Sequence, residues 1–130
     1  MNTQIEDRHY PLRDKTDLII GAAIEVHKHL GSGFLEIVYK DAFCLEARER
    51  DIPYERERYY PVNYKGTLLP HGFNADFVVF GSIILEIKSK NGIATEDIAQ
   101  TLNYLKCSGC KIGLILNFGK LTLEIKRLVL

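Results

Sequence analysis

Along the chain, the spacing of apolar positions predicts helices first. Ile19, Ala22, Ala23, Val26 and Leu30 recur at helical spacing behind Asp14 and Thr16, either of which suits an N-cap, and Gly31-Ser32-Gly33 stops the run. Leu35, Val38, Ala42 and Leu45 mark a second helix to about Arg50, with Glu46 to Asp51 as its solvated end, and Ile52-Pro53 closes the helical section. From Tyr54 to Tyr64 charged and aromatic residues suggest a partly exposed strand, followed by a turn at Lys65-Gly66 and a short start at Thr67–Leu69 that Pro70 interrupts. Two apolar runs follow, Phe73–Phe80 and Ile83–Lys88. Asn91-Gly92 then breaks the chain, and Thr95 is placed to cap a third helix with Glu96 and Asp97 in its first turn and Ile98, Leu102 and Leu105 as its buried stripe. Lys111 to Phe118 is nearly continuous in apolar residues, as a strand covered on both faces would be. After a turn at Asn117–Lys120, the alternation of Leu121–Lys126 predicts a strand with one wet face. The order α-α-β-β-β-α-β-β is that of an α/β (α+β) domain around a mixed β-sheet flanked by helices, spanning residues 14–130, with residues 1–13 as a loosely held lead-in.

The two central runs carry charge where strands ordinarily carry valine or isoleucine: Asp76 in one, Glu86 and Lys88 in the next. Burying such groups is costly unless they are paired or bind a metal. Strand alternation puts Ile84, Glu86 and Lys88 on one face and Ile83, Leu85 and Ile87 on the other. It also sets Asn74, Asp76, Val78 and Phe80 opposite Phe73, Ala75, Phe77 and Val79. A two-residue turn at Gly81-Ser82 would leave the acids on opposite faces. A three-residue connection or a bulge brings Asp76 and Glu86 together, so a shared site requires that odd register.

Composition narrows the setting. A chain of 130 residues can bury a core without disulfides or metal staples, and 46% hydrophobic with 26% charged residues is ordinary for a globular protein. No apolar run is long enough to span a bilayer and the N-terminal residues hold no signal-peptide core, so no membrane association and a cytoplasmic location are expected. A net charge of zero argues against a protein that coats DNA non-specifically, though not against a local basic patch. Cys107 and Cys110 form a C-x-x-C, but only Cys44 remains to add a third thiolate, and the plainer reading is two small residues flanking a Ser-Gly turn. His27 and His29, two apart on a helix, point to different sides and do not chelate as a pair.

An aspartate, a glutamate and a lysine converging at a sheet edge suit metal-assisted hydrolysis. Oxygen ligands from Asp76, Glu86 and the backbone carbonyl near Ile87 favour Mg2+ or Mn2+ over zinc, and Lys88 is suited to hold the attacking water and offset the negative centre. No Ser-His or Cys-His triad and no Gly-rich phosphate loop competes. A purely structural acid pair neutralised by Lys88 is the simpler alternative. Gln100 and Tyr104, four apart on the third helix, share a face that can reach into a groove.

Taken together, these motifs resemble the PD-(D/E)XK nuclease superfamily, and within it the GxxExxY proteins, whose signature here reads Gly33-Phe34-Leu35-Glu36-Ile37-Val38-Tyr39. The matching elements come in order: Glu36, then Asp76 ending Asn-Ala-Asp, then Glu86-Ile87-Lys88, then Gln100-Thr101-Leu102-Asn103-Tyr104. The resemblance implies a restriction-endonuclease-like core, metal binding by Asp76 and Glu86, water positioning by Lys88, an assisting role for Glu36, and contacts from Gln100 and Tyr104 to the lysine, the water or a nucleic-acid end. It implies a divalent-metal-dependent nuclease acting on DNA. The rival is a nuclease-fold module that has lost activity and serves as a nucleic-acid-binding or protein-binding subunit. Ala75 stands in place of the superfamily's proline. Asn74 stands where similar proteins carry a basic residue, so phosphate binding is expected to be weaker or supplied elsewhere, for instance by His71. So small a domain has little surface with which to enclose a duplex, which points to a homodimer or a larger complex.

Overall fold

The computed structural model describes residues 10–130; the expected lead-in lies outside the described residues over positions 1–9. Helix α1 (Arg13–Leu30) begins before the expected caps, at Leu12 in a left-handed conformation, and Thr16 turns its hydroxyl back to the Arg13 carbonyl. The helix buries Ile19, Ala22, Ala23 and Val26 as its spacing dictates, and the chain reverses at Gly31. Helix α2 (Glu36–Glu49) departs from expectation. It buries Tyr39, Phe43, Cys44 and Ala47, whereas Leu35 and Leu45 are exposed. The aromatic rings decide this, because Tyr39 stacks on Phe118 at 4.6 Å and Phe43 meets Phe77 edge-on at 5.1 Å, and large rings bury more apolar area than the leucines they displace.

A five-stranded sheet has the order β1-β4-β5-β6-β7: β1 (Tyr54–Tyr60), β4 (Phe73–Val79), β5 (Ile83–Lys88), β6 (Ile112–Asn117) and β7 (Glu124–Val129). Strands β2 (Asn63–Tyr64) and β3 (Thr67–Leu68) form a separate small hairpin. Only β5 and β6 are parallel, joined through helix α3 (Thr95–Ser108) as a parallel pair requires. Helices α1 and α2 cover one face, over Phe77, Val79, Ile83, Leu85 and Ile87; α3 covers the other, over Ala75, Val78, Ile84 and Ile115. At Gly113 a side chain would press on Thr101 and Leu105, so glycine lets α3 approach β6. This is the restriction-endonuclease-like arrangement, a mixed sheet between helices in the predicted order.

Three boundaries moved. Helix α3 starts at Thr95 with Ala94 at the cap position, where Asp97 accepts the Ala94 N–H at 2.8 Å. Its most buried residues are Asp97, Thr101, Tyr104 and Leu105. Strand β7 begins at Glu124, and Leu121 is fully in solvent. Glu124 is pinned there because its carboxylate accepts the Ile93 N–H at 3.1 Å and the Asn117 side-chain amide at 3.0 Å. The third correction concerns β4. Its alternation slips at Asp76: Phe73, Ala75 and Val78 pack on the α3 side, while Phe77, Val79 and Phe80 pack on the side of α1 and α2. Strand β1 slips at the same row, with Tyr54 on the α1/α2 side and Tyr60 on the α3 side.

The three cysteines are free, and the C-x-x-C flanks the left-handed Gly109 that ends α3. His27 Nε2 donates to the Lys120 carbonyl at 2.9 Å and His29 meets Glu25 at 2.7 Å, both structural contacts. No helix among the described residues is long and apolar enough to cross a membrane.

Candidate active site

The β4–β5 connection is the odd one. Val79 pairs with Ile83, so Phe80-Gly81-Ser82 is a three-residue link, and the same register sets Asp76 opposite Glu86. Phe80 and Gly81 both take positive φ, 56° and 64°, which lets the chain reverse tightly. The ladder of paired residues runs from Val79↔Ile83 to Phe77↔Leu85 and goes no further. Beyond it the acids substitute for backbone: Asp76 N–H donates to Glu86 Oε2 at 2.7 Å, and Ile87 N–H donates to Asp76 Oδ2 at 2.9 Å. Each carboxylate thus holds the other residue's strand in place. A strand residue's N–H and C=O point to the same edge, so the Ile87 carbonyl faces this opening as well.

Both acids are buried, Glu86 to 2% exposure and Asp76 to 9%. Burial, and after it the Asp76 carboxylate alongside, push the Glu86 pKa up to about 8. Near neutral pH the pair therefore carries less negative charge than two carboxylates, because burial and the Asp76 charge outweigh the lysines nearby. The donor set is all oxygen, and magnesium is commonly held by one or two carboxylates plus substrate oxygens, so Asp76, Glu86 and Ile87 fit such an ion. Among the described residues no group of three or more His, Cys, Asp or Glu side chains gathers as a ligand cluster. Glu36 in particular joins no such cluster; it opens α2 half-buried, its side chain makes no hydrogen bond or ion pair among the described residues, and its charge acts on Lys40.

Lys88 lies on the same strand face as Glu86, its ammonium 3.9 Å from Asp97. Asp97 is one of the residues missed from sequence, where it reads as an ordinary first-turn acid. It is buried, and although burial pushes its pKa upward, the Lys90 ammonium at 2.9 Å, the Ala94 N–H and Lys88 hold it below the usual value. It pairs with both lysines, of which Lys88 acts on Glu86. Tyr104 belongs here too: burial, then the charges of Glu86 and Asp76, raise its phenol pKa and keep the hydroxyl protonated. Its ring packs edge-on against Phe73 at 5.5 Å. Gln100, one turn earlier, is exposed and makes no hydrogen bond among the described residues.

Two more residues were not foreseen. Lys40 reaches from α2 to Asp76 Oδ1 at 2.9 Å and to Glu57 Oε2 at 3.8 Å. Burial works to lower its pKa, but the hydrogen bond and charge of Asp76 outweigh it and raise the value. A signal existed, since Lys40 follows Glu36 by four residues and shares its helix face. Glu57 had none, because its place opposite Asp76 depends on the β1–β4 register; it adopts φ 58° just where both strands change face. Tyr39 explains its own motif position: its hydroxyl donates to the Gly31 carbonyl at 2.6 Å and accepts the Phe34 N–H at 3.2 Å, fixing the loop that delivers Glu36.

The loop after β5 is held equally firmly. Buried Asn117 accepts the Lys90 N–H and donates to the Lys90 carbonyl, both at 3.0 Å. Between this loop and the start of α2 lies an open groove of about 680 Å³, lined by Phe34, Glu36, Ser89, Lys90 and Asn91 among others.

The family model of the PD-(D/E)XK nuclease superfamily matches residues 13–128. No curated protein matches the chain. A solved structure, the crystal structure of SSO0001, is similar at 15% identity with a TM-score of 0.48, over 88% of this chain and 65% of that one. The chain thus spans about two thirds of that structure's length. With nearly its whole length matched, the chain belongs to the PD-(D/E)XK nuclease superfamily.

Proposed function

We propose that this member of the PD-(D/E)XK nuclease superfamily is a divalent-metal-dependent phosphodiesterase that cleaves DNA, acting in the cytoplasm as one of the GxxExxY group. The observation that carries the reading is the buried Asp76–Glu86 pair, crossed by two main-chain-to-carboxylate hydrogen bonds at the point where β4 and β5 part. Mg2+ or Mn2+ held by Asp76, Glu86 and the Ile87 carbonyl would polarise the scissile phosphoryl group and acidify the attacking water. Lys88, tethered by Asp97, stands beside Glu86 to orient that water and to offset charge building on the phosphate. Tyr104 offers a protonated hydroxyl on the α3 side. Glu36 and Lys90 border the groove between α2 and the β5 exit, a path for the nucleic-acid strand, while exposed Gln100 is free to meet a strand end.

Two observations favour a second reading, a binding module on the nuclease fold: no third carboxylate joins the pair among the described residues, and Lys40 already sits on Asp76. The deciding experiment measures Mn2+ binding by calorimetry and cleavage of single-stranded, double-stranded and branched DNA, for wild type and Asp76→Ala. The nuclease reading expects binding and cleavage in wild type and loss of both in the variant, with cleavage down by at least about a hundredfold. Binding without cleavage of any substrate would favour the module. Absence of binding would end the metal reading.

A further inference from the structure

Asp76 has both oxygens engaged inside the protein: Oδ2 accepts the Ile87 N–H at 2.9 Å, and Oδ1 holds the Lys40 ammonium at 2.9 Å. A divalent ion shared by Asp76 and Glu86 would therefore meet an oxygen that an ammonium already holds. Lys40 is mostly shielded, with 14% of its side chain exposed, so water screens that ion pair little. A second acceptor is in place. Glu57 Oε2 lies 3.8 Å from the same ammonium, on the strand row opposite Asp76. It is set there by a left-handed backbone, φ 58°, that residues other than glycine adopt only at a cost. Lysine's four-carbon stem makes a shift from one carboxylate to the other a matter of its terminal torsions.

We propose that Lys40 is a displaceable resident cation: it neutralises Asp76 while no divalent ion is bound and transfers to Glu57 when one binds. The inference rests on the metal-site reading above and deepens it. Without Lys40, the buried Asp76 carboxylate would have no full positive charge in hydrogen-bond contact, and the empty site would weaken the fold. With it, the empty site is tolerated at the expense of metal affinity, because the attraction between Lys40 and Asp76 must be given up on loading. Lys40 is thus a positioning residue that sets the metal threshold of the enzyme.

The test is Mn2+ titration by calorimetry on the full chain as wild type, Lys40→Gln, Glu57→Gln and Lys106→Gln. An opposite charge within about 4–6 Å shifts a carboxylate's affinity for its proton by about 1–3 units, so relief of the same competition should tighten Mn2+ binding to Lys40→Gln by about tenfold or more. Glu57→Gln should bind more weakly than wild type, since the displaced ammonium loses its acceptor. Lys106→Gln removes the same charge from an exposed lysine on α3, and should stay within about threefold of wild type. Wild type supplies a measurement independent of any variant's folding: the Lys40 side-chain NMR resonances should move on saturation with Mg2+. Lys40→Gln binding no tighter than Lys106→Gln, or Lys40 resonances unmoved at saturation, would overturn the proposal while leaving the metal site intact. If wild type and all variants fail to bind Mn2+, the metal-site reading falls and takes this proposal with it.

Discussion

Glu86 shows how a single buried carboxyl ties the stability of the fold to pH. Its carboxyl is protonated up to about pH 8 in the folded chain but only to about pH 4.5 when unfolded. Between those values the folded state holds a proton that the unfolded state has released, so the unfolding free energy falls as pH rises. Spread over that window, the loss is on the order of a few kcal/mol. Denaturant unfolding in the presence of a chelator should therefore show wild type losing stability from pH 5 to pH 8.5. Glu86→Gln, whose amide oxygen can still accept the Asp76 N–H, should lose less by about 2–4 kcal/mol. Parallel pH curves for the two proteins would contradict the assignment. At this scale the sequence was informative about Asp76, Glu86 and Lys88, because charge inside an apolar strand is visible without coordinates. It was silent on Glu57, whose Arg/Glu-rich strand reads as solvated surface.

At the level of elements, the site depends on how two segments are held: the three-residue β4–β5 link that aligns the acids, and the β5 exit loop that carries Lys90. The first was predictable as a condition, since only an odd register lets Asp76 meet Glu86. The second hinges on Asn117, which satisfies both backbone groups of Lys90, the Glu124 carboxylate and the Gly119 N–H. Asn117→Ala would leave several buried polar groups without partners, each costing about 1–3 kcal/mol. We expect the variant to lose about 3 kcal/mol or more in chemical denaturation, along with ordered amide signals from residues 89–91. Loss below about 1 kcal/mol would mean the loop is held by other contacts. The α2 stripe was misread for a related reason: a helix with apolar residues on several sides offers more than one candidate face, and the ring contacts of Tyr39 and Phe43 selected among them.

For the whole molecule, the zero net charge and the buried acid pair set the terms of ligand binding. An ion that binds the folded chain and not the unfolded one stabilises it by about 2.7 kcal/mol at a hundred times its dissociation constant. Saturating Mn2+ should accordingly raise the denaturation midpoint of wild type, with no rise for Asp76→Ala. An equal rise in both would place the binding elsewhere. With zero net charge the chain has no global positive field, and Lys88 and Lys90, which the fold gathers around Asp97, are a local cluster of positive charge.

The sequence by itself determined the order of elements, the two acid-bearing strands and the polar face of β5, because helical and strand periods and the cost of burying charge act locally along the chain. Only the tertiary structure decided that both β1 and β4 change face at the Glu57–Asp76 row, that no third carboxylate completes a ligand cluster among the described residues, and that Lys40 occupies Asp76. Those outcomes depend on which helix face docks and on how neighbouring strands pair. The energies that choose them arise between residues far apart in sequence, where no local pattern records the result.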